Sequence, residues 1–310
     1  FDMTAGILKK NPNKIRTSTS RKIFLVVTIA VLCLWSLLCI LPFVYILAVS
    51  LSSKSAVSAG IVSFWPVDFT LNSYIYLLRQ SEFFVAFGIS VARVFVGTWI
   101  NLLVTVLAAY PLAFARRTLK GRKFYVFLVL LCMFFSGGTV PTYIMISRIG
   151  LIDNFLVLVL PGALSPWNLI LFVNFFRNVP TEMLEAADIE GAGDYRILWQ
   201  IVVPVSLPIL ATITLLCMVG HWNNWFDGYL YMDPEHWPLQ TYIFDVMESF
   251  KKLQYDIQHL DPDTIAQLQE SSDMTLRSAQ IFIAMVPILC VYPFMQRYFV
   301  QGILLGSVKE

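Results

Sequence analysis

The chain has 310 residues, of which 57% are hydrophobic and only 14% are charged, and its formal net charge is +2. A soluble domain needs more polar residues than this to cover its surface, whereas a bilayer solvates apolar side chains directly. The composition therefore excludes an ordinary soluble protein and predicts an all-α, polytopic membrane protein.

Six stretches are apolar and long enough to cross a bilayer, which takes about 20 residues in a helix. They cover residues 23–50, 83–115, 124–147, 155–176, 201–222 and 278–295. The first stretch is too long for the apolar core of a signal peptide and lacks a small-residue cleavage site, so we expect it to be retained. Six spans, an even number, place both termini on the same side of the membrane.

Positive charge indicates which side that is. Segments that would share one side hold 15 of the 22 lysines and arginines. These residues are Lys9, Lys10, Lys14, Arg16, Arg21, Lys22, Arg116, Arg117, Lys120, Arg122, Lys123, Arg177, Arg196, Arg297 and Lys309. Because cytoplasmic loops are enriched in Lys and Arg, we expect both termini in the cytoplasm.

This topology divides the chain into four parts: a cytoplasmic N-terminal segment (1–22), a first transmembrane helix (23–50), an external loop (51–82) and a core of five transmembrane helices (83–310). The core contains a cytoplasmic loop at 177–200 and a long acidic external loop at 223–277.

The long external loop includes the stretch DPDTIAQLQE, whose Asp-Pro start predicts a short helix. Loops of this length are often functional, so we expect a lid or a docking element. A solvated connector is the alternative.

Catalytic and metal-binding patterns are missing from the sequence. The five cysteines lie in apolar stretches without paired spacing, which is typical of packing residues. The three histidines have no metalloprotease-type spacing, and no phosphate-binding loop of the form G-x-x-x-x-G-K-[ST] occurs. We therefore expect no catalytic residue, metal or cofactor in this chain.

The loop at 177–200 has the pattern of a short helix. Pro180 disfavours helical angles at the residue before it, Thr181 is a candidate N-cap, and Gly191 is a natural C-terminal stop. A helix of about ten residues is not stable alone in water. It must pack either on its own membrane domain or on another protein.

Four stretches carry motifs of a known protein family. In the loop, E-A-A starting at Glu185 is followed by Glu190-Gly191 and by I-x-x-P ending at Pro204, with a second proline at Pro208. The other three stretches are MFFSGGTVPTY, GHWNNWFD and PFMQRYFVQGILLGSVKE. All four resemble permease subunits of bacterial binding-protein-dependent ABC importers, most closely those of the carbohydrate-uptake, maltose-type branch. The family usually has Leu before the first proline, where this chain has Val. The resemblance covers residues 83–310.

The resemblance implies a type I ABC importer permease fold with six transmembrane helices in the bacterial cytoplasmic membrane. It implies that the short helix is a coupling helix, seated in a cleft of an ATPase subunit. The residues that match the family motif are Glu185, Ala186, Ala187, Gly191, Ile201 and Pro204.

The resemblance also implies a set of partners. ATP and Mg²⁺ would bind to two copies of the partner ATPase. A second permease chain, usually a different one in this branch, an external solute-binding protein and an oligosaccharide would complete the machine within the lipid bilayer. No nucleic acid is expected.

A sugar path needs aromatic faces for pyranose rings and amides for hydroxyl groups. The candidates are Trp99, Asn101, Trp167, Asn168, Asn174, Trp222, Asn223 and Asn224. Alternatively, Trp222 belongs to an interfacial aromatic belt, and Asn101 and Asn174 only bond between helices. In the external loop, Gln254, Asp261 and Gln269 are candidates for docking the binding protein.

Two further features lie in the spans. Arg93 is expected to face a cavity, a partner subunit or a carboxylate, unless its helix begins later and leaves it at the interface. Gly137, Gly138 and Pro141 are expected to loosen the third span, as a hinge or an inert kink.

Two other functions remain open. The first is an ABC permease for another solute, such as an amino acid or a phosphonate. The second is a secondary transporter, which would be expected to hold ionisable residues near the midplane; apart from Arg93 the spans are nearly free of them.

Overall fold

The computed structural model describes residues 18–114, 121–256 and 274–307, and all regular secondary structure in these ranges is helical. The α-helices are α1 (Thr19–Ser50), α2 (Lys54–Ser58), α3 (Asn72–Leu77), α4 (Ser81–Ala113), α5 (Arg122–Phe134), α6 (Thr139–Ile149), α7 (Pro166–Phe176), α8 (Thr181–Ile189), α9 (Asp194–Ile197), α10 (Val203–Val205), α11 (Leu207–Asn223), α12 (Phe226–Tyr231), α13 (Leu239–Asp256) and α14 (Met274–Ser307). Short 3₁₀ turns cover Phe155–Leu158 and Pro234–His236, and Leu198–Val202 forms a π-helical turn. The predicted all-α class is confirmed.

Three stretches of helix are long and apolar enough to cross a membrane: α1, α4 and the first part of α14, Met274–Val291. Two more spans are possible if each of two bent helix pairs counts as one, so the described residues hold up to five. α7 is apolar but has only 11 residues. The count of six spans stays a prediction.

The third predicted span, 124–147, is two helices rather than one. α5 ends at Phe134, α6 begins at Thr139, and their axes differ by 116°. Gly138, between them, has φ +84°, a conformation that costs glycine little and other residues much. The glycines thus mark a sharp turn of the chain, a larger change than the loosened helix expected from the sequence.

The fourth predicted span, 155–176, is α-helical only from Pro166 onward. The residues before it form a 3₁₀ turn and a loop that contains Pro161 and Gly162, two residues that disfavour a helix interior. Apolar character alone did not distinguish a packed loop from a membrane helix in this stretch.

The centre of the fold is a pair of helices, α4 and α11, that run antiparallel. α4 also packs against α7 and α13, α11 packs against α14, and α14 packs against α1. One apolar cluster lies at the Ala113 end of α4 and includes buried side chains of α4, α7, α8, α9 and α11. A second cluster lies at the Ser81 end and includes Phe83, Trp222 and Leu239. One end of the α4–α11 pair therefore packs against the 177–200 loop, and the other end packs against the segment that follows α11.

Candidate functional site: the 177–200 loop and the polar interior

The predicted short helix is present as α8. It begins at Thr181 directly after Pro180, which is the capping residue and makes no side-chain capping bond. Thr181 is therefore the first helical residue and not the N-cap that the sequence indicated. Proline at the cap position still fixes the backbone where the chain leaves α7.

Gly191 ends α8 in a Schellman motif. Its φ is +75°, its N–H donates to the carbonyl oxygen of Asp188 at 3.0 Å, and the N–H of Ala192 donates to the carbonyl oxygen of Ala187 at 2.9 Å. These two bonds satisfy carbonyl groups that a helix end otherwise leaves without partners. The prediction that Gly191 stops the helix is confirmed.

α8 packs on its own chain through one face only. Ala187 is buried in the cluster that also contains Ala109, Ala113 and Ile197, and Leu184 packs against the same cluster. The absence of a large side chain at position 187 lets the short helix lie close to α4. This face corresponds to the first alternative left open by the sequence, packing on the membrane domain.

The loop also carries three large apolar side chains that are exposed. Ile189 is 88% exposed, Tyr195 is 76% exposed and Met183 is 42% exposed. We call these three side chains the docking patch. Exposed large apolar side chains on a loop are candidates for contact with another protein.

The remaining motif residues lie around this helix. Glu185 and Ala186 are exposed, and Glu185 lines a cavity of about 230 Å³ between α8 and the Ala113 end of α4. Ile201 is half-buried against the same cluster, and Pro204 is exposed in α10. Beyond Pro204 the helical segment Asp194–Val205 meets α11 at an angle of 82°.

A hydrogen bond ties the loop to α4. The hydroxyl of Tyr110 donates to Oδ1 of Asp194 at 3.1 Å. Tyr110 belongs to the Ala113 end of α4, and Asp194 is the first residue of α9. The loop is therefore attached to the central helix by both a polar contact and apolar packing.

Among the candidate sugar-path residues, Asn101 and Asn224 have side-chain amides that bond to oxygen or nitrogen atoms of this chain. Asn101 donates from Nδ2 to the carbonyl oxygens of Gly162 (2.7 Å) and Ala163 (2.9 Å), and its Oδ1 lies 2.6 Å from Nε2 of His221. Asn224 donates from Nδ2 to Asp227 at 2.7 Å. The contacts of Asn101 correspond to the alternative in which this residue only bonds between helices.

Trp222 is buried rather than displayed in an exposed belt. Its Nε1–H donates to the carbonyl oxygen of Ala284 in α14 at 2.9 Å, and its ring meets Phe87 of α4 edge to face at 5.8 Å. Trp222 therefore joins α4, α11 and α14, and its ring is covered by protein in this chain.

The other candidates are more accessible. Trp99 is 68% exposed, Trp167 is 59% exposed, and Asn174 and Asn223 are also exposed. Asn168 is half-buried, with Nδ2 3.6 Å from the sulfur of Cys217. The described contacts do not bring these residues together into one site, so the sugar path stays a prediction.

Arg93 faces a carboxylate, one of the three surroundings expected for it. Its side chain is 1% exposed and forms an ion pair with Asp227, with 2.6 Å between Nη2 and Oδ2. Its Nη1 donates to the backbone carbonyl oxygen of Asn224 at 3.0 Å. Because α4 begins at Ser81, Arg93 lies about 18 Å along the helix and not at its start.

Sequence reasoning missed Asp227 as the partner of Arg93. The two residues are 134 positions apart, so no helical periodicity connects them. The available signal was the stretch GHWNNWFD, which places a carboxylate directly after an apolar span. A sequence analysis could therefore have proposed an ion pair between the cation within one span and the acid just after another.

Two of the three candidates for binding-protein docking lie outside the residues that the structure describes. Gln254 lies in α13, and Asp261 and Gln269 lie outside the described residues. α13 itself packs against α4 and α14.

Curated relatives identify the family. The chain is 39% identical over 271 residues to the protein LplC of Bacillus subtilis (strain 168), covering 87% of this chain and 89% of that protein. It is 35% identical over 279 residues to the polygalacturonan/rhamnogalacturonan transport system permease protein YtcP of the same organism, covering 90% and 95%. The chain is a permease subunit of the sugar-importing ABC transporters. No protein-family model matches this permease.

Solved structures agree with this assignment. The permease matches a chain of a bacterial ABC transporter involved in the import of the acidic polysaccharide alginate, with a TM-score of 0.80, 29% identity, and coverage of 92% of this chain and 100% of that one. A second match, with a TM-score of 0.50 and 14% identity over 89% and 93% of the chains, shares the fold. That structure is a bacterial alginate ABC transporter in complex with an alginate pentasaccharide-bound periplasmic protein. The resemblance to permeases of the carbohydrate branch is confirmed.

Proposed function

We propose that this permease is the translocation subunit of an ATP-driven importer that moves oligosaccharide fragments of polysaccharides into the bacterial cytoplasm. The observation that carries the proposal is α8: a short helix that ends in a Schellman motif, buries Ala187 in the apolar cluster shared with α4 and α11, and has the exposed docking patch on and beside it. When a partner protein displaces a helix placed in this way, the displacement can be transmitted to the central helix pair, α4 and α11.

The docking patch is the proposed seat of the ATPase subunit. Exposed Ile189, Tyr195 and Met183 supply apolar area for a cleft in that subunit, and α8 also carries exposed acidic residues. ATP and Mg²⁺ belong to the partner, since this sequence contains no phosphate-binding loop. This chain therefore contributes movement and not hydrolysis.

The position of the docking patch indicates which end of the permease faces the cytoplasm in this proposal. If α8 meets a cytoplasmic ATPase, the Ala113 end of α4 and both termini are cytoplasmic, as the distribution of Lys and Arg predicts. The Ser81 end, α12 and α13 then lie outside, where a binding protein delivers sugar. A second permease subunit would complete the membrane domain.

Acidic oligosaccharides are the first substrate class to test. YtcP is named for polygalacturonan and rhamnogalacturonan, and the better structural match comes from an importer of the acidic polysaccharide alginate. Both kinds of polymer contain uronic acid units. The exposed rings of Trp99 and Trp167 are the proposed stacking surfaces for the sugar.

The proposal is tested by purifying the complex through this chain from native membranes and measuring ATP hydrolysis. ATPase activity should copurify, and its binding protein, loaded with oligogalacturonate or alginate oligosaccharides, should stimulate it. Neutral malto-oligosaccharides serve as the comparison. Absence of a copurifying ATPase would contradict the importer function; stimulation by neutral sugars alone would contradict the acidic substrate class.

A further inference from the structure

The Arg93–Asp227 pair lies at the junction between α11 and the segment that follows it. Asn224, whose carbonyl oxygen accepts from Arg93, is the C-terminal capping residue of α11, and Asp227 lies in the first turn of α12. The guanidinium therefore holds the end of one helix and the beginning of the next. It fixes where the chain turns away from the central pair.

The junction is closed further by Asn224 itself. Its Nδ2 donates to Oδ2 of Asp227 at 2.7 Å, and its Oδ1 accepts from the N–H of Asp227 at 3.3 Å. The carboxylate thus receives hydrogen bonds from Arg93 and from Asn224. A buried charge in such a network allows only a narrow range of positions for its partners.

The segment beyond the junction is tied to the same helix. The N–H of Leu239, the first residue of α13, donates to Oγ of Ser90 in α4 at 2.7 Å. Thr241 donates from Oγ1 to the carbonyl oxygen of Trp225 at 2.7 Å. α12 and the start of α13 are therefore attached to α4 at two successive buried points, Ser90 and Arg93.

The opposite end of α4 holds the 177–200 loop. Tyr110 bonds Asp194, and Ala109 and Ala113 pack in the cluster that contains Ala187. Arg93 and Tyr110 are separated by 17 residues, or about 25 Å of continuous helix. One rigid element thus carries the proposed ATPase contact at one end and the Arg93–Asp227 junction at the other.

We propose that the Arg93–Asp227 ion pair is a positioning joint that couples the loop outside the membrane to the coupling helix through α4. With the joint intact, a displacement of α12 and α13 by the loaded binding protein moves α4, and with it α8. The inference rests on the proposed function, because it assigns a path between the two partners named there.

An ion pair suits this task better than an apolar contact would. Two directional bonds from one guanidinium, to a backbone carbonyl and to a carboxylate, fix the relative position of these groups, whereas hydrophobic attraction has no preferred direction. The pair is partly buried, with Arg93 1% and Asp227 33% exposed, and such pairs contribute little to stability relative to apolar pairs of similar size. The geometry therefore favours a role in transmission over a role in stability.

The test compares ATP hydrolysis with and without sugar-loaded binding protein in the purified complex. The principal variant is the double substitution Arg93→Met and Asp227→Leu, which removes both charges and leaves no unpaired one. Asp227→Glu keeps the pair. Matched controls are Arg79→Met and Glu235→Gln, which remove exposed charges from the flanking segments outside the joint.

We expect the double variant to assemble and to keep its unstimulated hydrolysis, while the ratio of stimulated to unstimulated rate falls at least about fivefold, a coupling loss of about 1 kcal/mol. Asp227→Glu and both controls should keep most of the ratio. A wild-type ratio in the double variant overturns the inference. An equal loss of both rates overturns it too, because it indicates a purely structural role.

If the double variant does not assemble, the ratio is measured on Arg93→Lys, which keeps the charge but cannot hold the carbonyl and the carboxylate in the same fixed geometry. The expected ratio lies between those of the double variant and wild type, and an unchanged ratio overturns the inference. Failure of the proposed function is a different result: no ATPase copurifies with the wild-type chain.

Discussion

Oδ1 of Asn101 lies 2.6 Å from Nε2 of His221, and this contact joins α4 to the C-terminal end of α11. Because Nδ2 of the same amide donates to the carbonyl oxygens of Gly162 and Ala163, Oδ1 is left to accept, and Nε2 of His221 must carry the hydrogen. One side chain thus joins α4, α11 and the loop before α7.

Gly97 makes room for this contact. A Cβ at position 97 would lie 2.5 Å from Nε2 of His221, so Gly97→Ala should displace the ring and break its bond to Asn101. We expect the free energy of unfolding to fall by about 1–3 kcal/mol, as at other overpacked sites. Thermal unfolding of the purified protein measures it. Gly88→Ala, on the same helix with open space around it, should leave the midpoint unchanged or slightly higher; equal effects at both positions would refute the account.

Gly191 provides a test of the cap of α8. Nothing lies within 4 Å of a Cβ built there, so any effect of substitution comes from its φ of +75°. Gly191→Val should strain the cap by about 1–2 kcal/mol or more, whereas Gly191→Asn should be tolerated because Asn adopts this conformation more readily. Stimulated ATP hydrolysis of the complex should fall for Val and stay near wild type for Asn. Similar rates for the two variants would mean that the cap does not matter.

The contacts of Asp153 predict that the stability of the protein depends on pH at acidic values. Its Oδ1 accepts from the N–H of Asp233 at 3.1 Å and lies 3.1 Å from Nδ1 of His236. The bond from the Asp233 backbone, followed by the contact with His236, lowers the pKa of the Asp153 carboxyl below its ordinary value of 3.8. The stabilisation is therefore present above that value and is lost as the pH falls through the lower folded pKa.

Asp153→Asn is the variant for this test, because Asn keeps the shape and tolerates the positive φ of 52° at this position. Thermal unfolding midpoints of wild type and variant should differ most near neutral pH and should converge as the pH falls below 3.8 and through the lower folded pKa of Asp153. A difference that stays constant over this pH range would contradict the assignment of the bond to the ionised carboxylate.

Substitutions at Trp222 and Trp167 should distinguish a residue that stabilises the fold from one that contacts the sugar. Trp222→Phe removes the bond to Ala284 and should lower stability by about 0.5–1.5 kcal/mol while leaving the sugar concentration for half-maximal transport unchanged. Trp167→Phe preserves an aromatic face, and Trp167→Ala removes it, so only Ala should raise that concentration. Transport by vesicles that contain the complex measures both. A raised value for Trp222→Phe with a wild-type value for Trp167→Ala would reverse the assignment.

The sequence predicted the parts of the fold that depend on local pattern. Apolar length located α1, α4 and α11 to within a few residues in most cases, and Gly191 marked the end of α8 because the left-handed conformation is a local requirement. Apolar length failed between residues 155 and 165, since a loop packed inside a membrane protein is as apolar as a helix.

Long-range contacts were beyond such reasoning. The need of Arg93 for a partner followed from its place in an apolar span, but its choice of Asp227 depends on how α4 and α11 pack. In the same way, Asn101 and Trp222 were named as sugar-path candidates because they are polar or amphipathic residues in or beside spans. Their partners, His221 and Ala284, became apparent only from the tertiary structure.

The central claim is that the docking patch meets an ATPase subunit, and photo-crosslinking tests it most directly. The crosslinker p-benzoylphenylalanine replaces Ile189, which is 88% exposed, or Ile75, which is 48% exposed near the other end of the fold. After irradiation of membranes, the account predicts an adduct between this chain and an ATP-binding polypeptide from position 189 and none from position 75. No such adduct from position 189, or equal adducts from both positions, would contradict it.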